Sequence, residues 1–229
     1  MSSCFSHNIC FRFSAYCIVL GILIGIASFL AQFWGGYFLM REDGVIELSQ
    51  VAVLILAAVM LYVASNRTRE YRDFFKVLYL APVLAIIREN DHFLETYVFD
   101  EAWEVLAVVC VIYMGYILYR THKRVLQQFV RFTATGPFIC FANGAFIVMI
   151  FARIIGQQSL WESLLQEHHH RMIGRFVEET IEFLGYCFIL IGSMECYITA
   201  GQFACKTADS LSLTQTIQPS EEGCVSSHV

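Results

Sequence analysis

Apolar stretches long enough to cross a bilayer recur along almost the whole chain, with only short connections between them. About 20 consecutive apolar residues span the hydrocarbon core as a helix. In that medium every backbone N–H and C=O must find a partner inside the protein, which leaves helices or a closed barrel. The runs here have helix length and occupy residues 14–39, 45–65, 74–87, 100–119, 137–155 and 176–200. Composition agrees with them: 57% of the residues are hydrophobic and 15% charged, against about 25% charged in a soluble domain. The expected fold is all-α, a six-helix transmembrane bundle forming a single polytopic domain over residues 1–205. Residues 206–229 are rich in Ser, Thr, Gln and Glu and read as a disordered polar cytoplasmic tail.

Two connections read as short interfacial helices. Val125, Leu126, Phe129 and Val130 repeat at helical spacing inside the basic stretch 120–136. Leu160, Trp161, Leu164 and Leu165 form an apolar stripe next to a Ser159–Glu162 capping box. In the first run, Gly21 and Gly25 form G-x-x-x-G, a pattern that allows close helix packing within the chain or self-association. The expected partners are the lipid bilayer and, through these glycines, a second copy. Nothing resembles a basic nucleic-acid-binding face. None of the nine cysteines forms C-x-x-C, and in apolar segments a free cysteine behaves as a small hydrophobe.

The third run is too short. From Phe74 its apolar part ends at Ile87, about 21 Å of helix, and Pro82 can kink it. It then meets Arg88-Glu89-Asn90-Asp91-His92-Phe93-Leu94-Glu95. Each Arg, Asp or Glu costs about 2.5–3.5 kcal/mol at the bilayer centre, so these groups lie outside the hydrocarbon or face partners inside the bundle. If the helix continues through them, Arg88, His92 and Glu95 share one face.

Six crossings put both termini on one side. With that side cytoplasmic, ten of the 15 Lys and Arg lie inside, most of them in the connections 67–76 and 120–131, as the positive-inside rule requires. Fourteen of the 20 acidic residues then fall on the outer side, together with Arg88, Arg153 and Arg175.

The second run is introduced by Glu42-Asp43-Gly44-Val45-Ile46-Glu47. This EDGxxE motif resembles a pattern in uncharacterised polytopic membrane proteins of bacteria. The resemblance implies the layout of spans and a location in the bacterial cytoplasmic (inner) membrane. That group has no established activity to carry over.

The candidate site is the set Glu47, Arg88, Glu89, His92, Glu179 and Glu182, drawn from the outer ends of the second, third and sixth runs. Three uses fit it. Charge pairing would join Arg88 to Glu47 or Glu182 and Arg175 to Glu179, fixing helix register or framing a binding site. A divalent metal would take Glu89, His92, Glu179 and Glu182 as ligands, because Glu89-x-x-His92 and Glu179-x-x-Glu182 each place two donors one turn apart. Such a centre would suit a membrane enzyme acting on a lipid headgroup at the outer leaflet. A small ion or proton-coupled transporter is the third use, and it needs polar groups continuing inward toward Glu195. Neither G-x-S-x-G nor H-E-x-x-H occurs.

Overall fold

The computed structural model describes residues 11, 12, 14–22, 25, 26, 29, 44–164 and 170–216, the last stretch beyond Ala200 as backbone. All regular structure among them is helical. Helix α1 is Val45–Arg67, α2 Arg72–Leu78, α3 Leu80–Glu89 and α4 Asp91–Tyr97. Helix α5 is Ala102–Thr133 and α6 Gly136–Phe146. A π-helical turn, Ile147–Phe151, joins α6 to α7, Ala152–Ile155. Helix α8 is Gln158–Leu164 and α9 His170–Thr216.

Four helices among the described residues are long and apolar enough to cross a membrane: Val45–Arg67, Ala102–Thr133, Gly136–Ile155 and Ile173–Ala200. The chain is a membrane protein, and its surface fits that setting. Helix α1 buries Gln50, Leu54, Ala57, Leu61 and Ala64 at helical spacing. Its opposite face is apolar as well, with Leu48, Ile55, Leu56 and Val59 exposed. A helix that is apolar all round is a core or membrane helix.

The other two expected crossings stand differently. Of 14–39, residues 14–22 are helical; Phe33, Trp34, Tyr37 and Phe38 lie outside the described residues, as do Glu42 and Asp43 of the EDGxxE motif. The stretch 72–97 is three short helices rather than one continuous helix. Pro82 has no N–H to give to the Leu78 carbonyl, and the run is interrupted next to that carbonyl at Tyr79, whose angles stay helical at φ −68° and ψ −20°. A second break falls at Asn90, whose φ of −107° and ψ of 25° leave the helical region. There the Asn90 side chain donates back to the Ile86 carbonyl at 2.8 Å.

One further expectation is corrected. The stretch 120–133 is not a separate interfacial helix but the continuation of α5, which runs for 32 residues, about 48 Å. Its turns are held by the rest of the chain: Val125 and Phe132 are buried, and the Gln128 side chain accepts the Phe74 N–H at 2.8 Å, capping a free donor at the start of α2. The last candidate crossing ends at Ala200, as expected; the backbone continues as helix to Thr216, and residues 217–229 lie outside the described part. The second short helix, α8, does form, and the Trp161 indole donates to the Ile155 carbonyl at 2.6 Å.

Helix α9 is the hub, lying along α1 and against α6. Against α6 the approach is backbone to backbone. A Cβ on Gly144 would sit 2.7 Å from the Gly185 carbonyl oxygen, and one on Gly185 would sit 3.1 Å from that of Gly144. A small residue at such a crossing lets two membrane helices touch. One end of the bundle is filled by Phe74, Phe75, Phe132, Leu61, Cys196 and Ala200. The middle is filled by Leu54, Val148 and Tyr186. The other end is polar.

Candidate functional site

At the polar end α9 presents Glu178, Glu179 and Glu182, and each is met by an arginine. Arg88, next to last in α3, reaches Glu182 Oε1 at 3.1 Å, and Arg153 of α7 reaches the same oxygen at 3.4 Å. Arg153 also meets Glu178 at 3.3 Å. Arg175, one turn before Glu179 on α9, pairs with it at 2.7 Å and with Glu47 of α1 at 3.2 Å. The Glu182 side chain is only 6% exposed, so its charge depends on these two partners. Gln50 adds an uncharged tie, donating to the Glu179 carbonyl at 3.0 Å. Its own Oε1 is buried without a partner among the described residues.

Glu89 is held in another way. Tyr186, one turn beyond Glu182 on α9, donates its hydroxyl to Glu89 Oε1 at 2.7 Å. The phenol is buried, so this bond joins α3 to the centre of the bundle. Beneath this layer lies an apolar cavity of about 550 Å³, within the usual range for small-ligand sites. Arg88, Trp103 and Tyr186 border it, and the rest of its wall is apolar, including Leu54, Ala85 and Ile189.

No family model, curated protein or solved structure matches this chain. The site is therefore read from its own geometry.

Of the residues expected at the site, Glu47, Arg88, Glu89, Glu179 and Glu182 come together through the links just described. His92 does not join them. It is exposed, beyond the break at Asn90, and its backbone N–H is taken by the Asp91 carboxylate at 2.6 Å. The same break ends the face expected to carry Arg88, His92 and Glu95: Arg88 turns to α9, while Glu95 accepts the Trp103 indole N–H at 3.0 Å. Glu89, His92, Glu179 and Glu182 are consequently not gathered as one ligand set. Among the described residues no three His, Cys, Asp or Glu side chains are placed to hold a metal ion.

Nor, among the described residues, does the polar layer extend inward. Tyr186 is followed on that face by Ile189, and the Ser193 hydroxyl is turned to the Ile189 carbonyl. Glu195 points elsewhere, pairing with Arg12 at 3.4 Å and accepting from Tyr16 at 2.8 Å. The sequence reading placed Arg153 and Arg175 on this side but omitted Tyr186. The available signal was spacing, since Tyr186 lies four residues beyond Glu182 and shares its face.

Proposed function

We propose that the chain is a multi-pass protein of the bacterial cytoplasmic membrane, with six crossings and both ends in the cytoplasm. We further propose that its outer polar layer is an ion-paired scaffold that sets helix register and roofs a binding cavity. One observation carries this reading: each arginine of the layer ties α9 to another helix, Arg88 to α3, Arg153 to α7 and Arg175 to α1. Ion pairs that each join two helices specify which turn meets which.

The topology has separate support. The three helices of 72–97, taken together, give about 36 Å of helix, enough for a kinked third crossing. Helix α5 exceeds the hydrocarbon thickness, and its surplus turns carry Arg120, Lys123, Arg124 and Arg131, as expected where a helix emerges on the cytoplasmic side. The EDGxxE resemblance is the basis for a bacterial source. The proposed partners are the bilayer and a second copy packed on Gly21 and Gly25, where an added Cβ would meet nothing within 4 Å among the described residues.

The scaffold is tested by exchanging its charges. Glu47→Arg and Arg175→Glu each lower thermal stability in detergent, and the double exchange restores a substantial part of the loss. A double variant no better than the sum of the two singles shows that the pair sets no register. Reporter fusions at positions 69, 129 and 229 should face the cytoplasm, and fusions at 43, 101 and 167 the opposite side.

A further inference from the structure

The cavity under the polar layer has a direction. Along α5 its wall runs from Trp103 through Ala107 to Met114, a rise of about 16 Å. Along α3 it runs from Arg88 back to Pro82 and Ala81, and on to Leu78 at the end of α2. The polar members Arg88, Trp103 and Tyr186 belong to the layer at one end, and the remaining length is apolar. One leaflet of a bilayer is about 15 Å of hydrocarbon, half of the ~30 Å core, so the cavity is as deep as one leaflet.

The wall is incomplete between α5 and α6. Ala145 and Met149 line the cavity and are also exposed, Met149 at 73%. The π-helical turn carries Met149 and its neighbour Val148 at this gap, and such turns are frequent at functional sites. In a membrane protein an apolar cavity with a side opening faces acyl chains rather than water.

The mouth is charged in a definite order. Nearest the apolar part is Arg88, whose side chain is 42% exposed and meets Glu182 through Nη2. A guanidinium carries five N–H donors, so this fork can bind a further anion. Trp103 also lines the rim, and its neighbours in the chain Asp100, Glu101 and Glu104 are exposed, as is Glu95. Glu95 is fixed there by the Trp103 indole at 3.0 Å. From the inside outward the order is apolar, cationic, then anionic. A zwitterionic phospholipid has the complementary order: acyl chain, phosphate, ammonium.

We propose that this cavity holds one acyl chain of an ammonium-bearing phospholipid, entering from the bilayer between α5 and α6, with its phosphate on Arg88 and its ammonium in the acidic collar around Trp103. The site goes beyond the scaffold reading. It requires the membrane, the cavity and the rim, and it does not require six crossings or the proposed orientation.

The test is lipid retention by the detergent-purified full chain, counted by native mass spectrometry after exchange into equal amounts of phosphatidylethanolamine and phosphatidylglycerol. The wild type retains one phosphatidylethanolamine per chain, in preference to phosphatidylglycerol by about tenfold. Ala107→Phe fills the cavity from α5 and abolishes retention, whereas Leu56→Phe on the exposed face of α1 leaves it unchanged. The Glu101→Gln/Glu104→Gln pair alters exposed side chains alone and removes the preference between the two lipids. It serves as the test should Ala107→Phe fail to accumulate. Equal retention of both lipids by the wild type overturns the proposal. So does a chain that retains neither, a filled variant that holds lipid like the wild type, or a preference that survives loss of the collar. Failure of the charge exchange at Glu47 and Arg175 would leave these outcomes untouched, so the two ideas fall separately.

Discussion

The two ends of the bundle solve one problem by different means. At the aromatic end Phe132 lies with its ring 4.9 Å from that of Phe74 and within about 6 Å of those of Phe75, Phe138 and Phe141. At the polar end the helices are joined by arginines and glutamates. Inside lipid, apolar surface gives no net drive for helices to associate, because the tails are as apolar as the side chains. Rings therefore contribute through close packing, which is strong in sum and weakly directional. Ion pairs contribute less than their Coulomb energy once desolvation is subtracted, yet a wrong pairing is expensive. The aromatic end thus supplies cohesion, and the polar end supplies choice of partner.

The largest expected effect tests cohesion. Phe132→Ala removes the ring shared by α2, α5 and α6 and leaves a void, destabilising the protein by about 3–5 kcal/mol, measured by equilibrium unfolding in mixed micelles. Glu182→Ala comes next, at about 3 kcal/mol. It strips Arg88 and Arg153 of a shared carboxylate, and it should also loosen register, seen as new crosslinks between cysteines placed one turn out of step on α3 and α9. If Phe132→Ala scrambles the crosslinks and Glu182→Ala does not, the assignment of roles is reversed.

A smaller effect sharpens the comparison at the middle of the bundle. Tyr186→Phe keeps the buried ring and deletes only the donor to Glu89. The carboxylate then lacks that partner, at about 1–3 kcal/mol. An equal loss in Tyr186→Phe and in a Tyr186→Phe/Glu89→Gln double variant would mean that the hydroxyl acts through something other than this bond.

Much of this division could be read from residue order alone, and the reasons for the misses are physical. Apolar length marked the helices at 45–65, 137–155 and 176–200, because lipid leaves the backbone little alternative. Charge marked Glu47, Arg88, Glu179 and Glu182, because unpaired charge there is costly. His92 was misplaced because one residue, Asn90, departs from helical angles, and a periodic face does not survive such a break. The end of α5 was misread because basic residues mark emergence from a membrane equally well for a loop and for a helix that continues. Tyr186 and the cavity went unseen because both depend on which helices are neighbours, and that is written in pairs such as Gly144 with Gly185 rather than in any single run.

The smallest expected effect concerns the charges at the aromatic end. Arg124 lies 3.9 Å from Asp73 and is 78% exposed, and Arg131 lies 3.6 Å from Glu70. These pairs also join separate segments of the chain, so a count of salt bridges would rank them with those at the polar end. Exposure argues otherwise, since Arg124 and Arg131 are 78% and 66% exposed, so water already solvates the cation of each pair and salt screens it. Arg124→Ala and Arg131→Ala should each change stability by less than about 1 kcal/mol, with crosslinking register intact and with that small change vanishing in high salt. The loss in Glu182→Ala should persist in the same salt, because a carboxylate buried to 6% exposure is shielded from the ions. A register shift in either arginine variant would show that charge chooses partners at both ends, leaving the rings as the only feature that separates them.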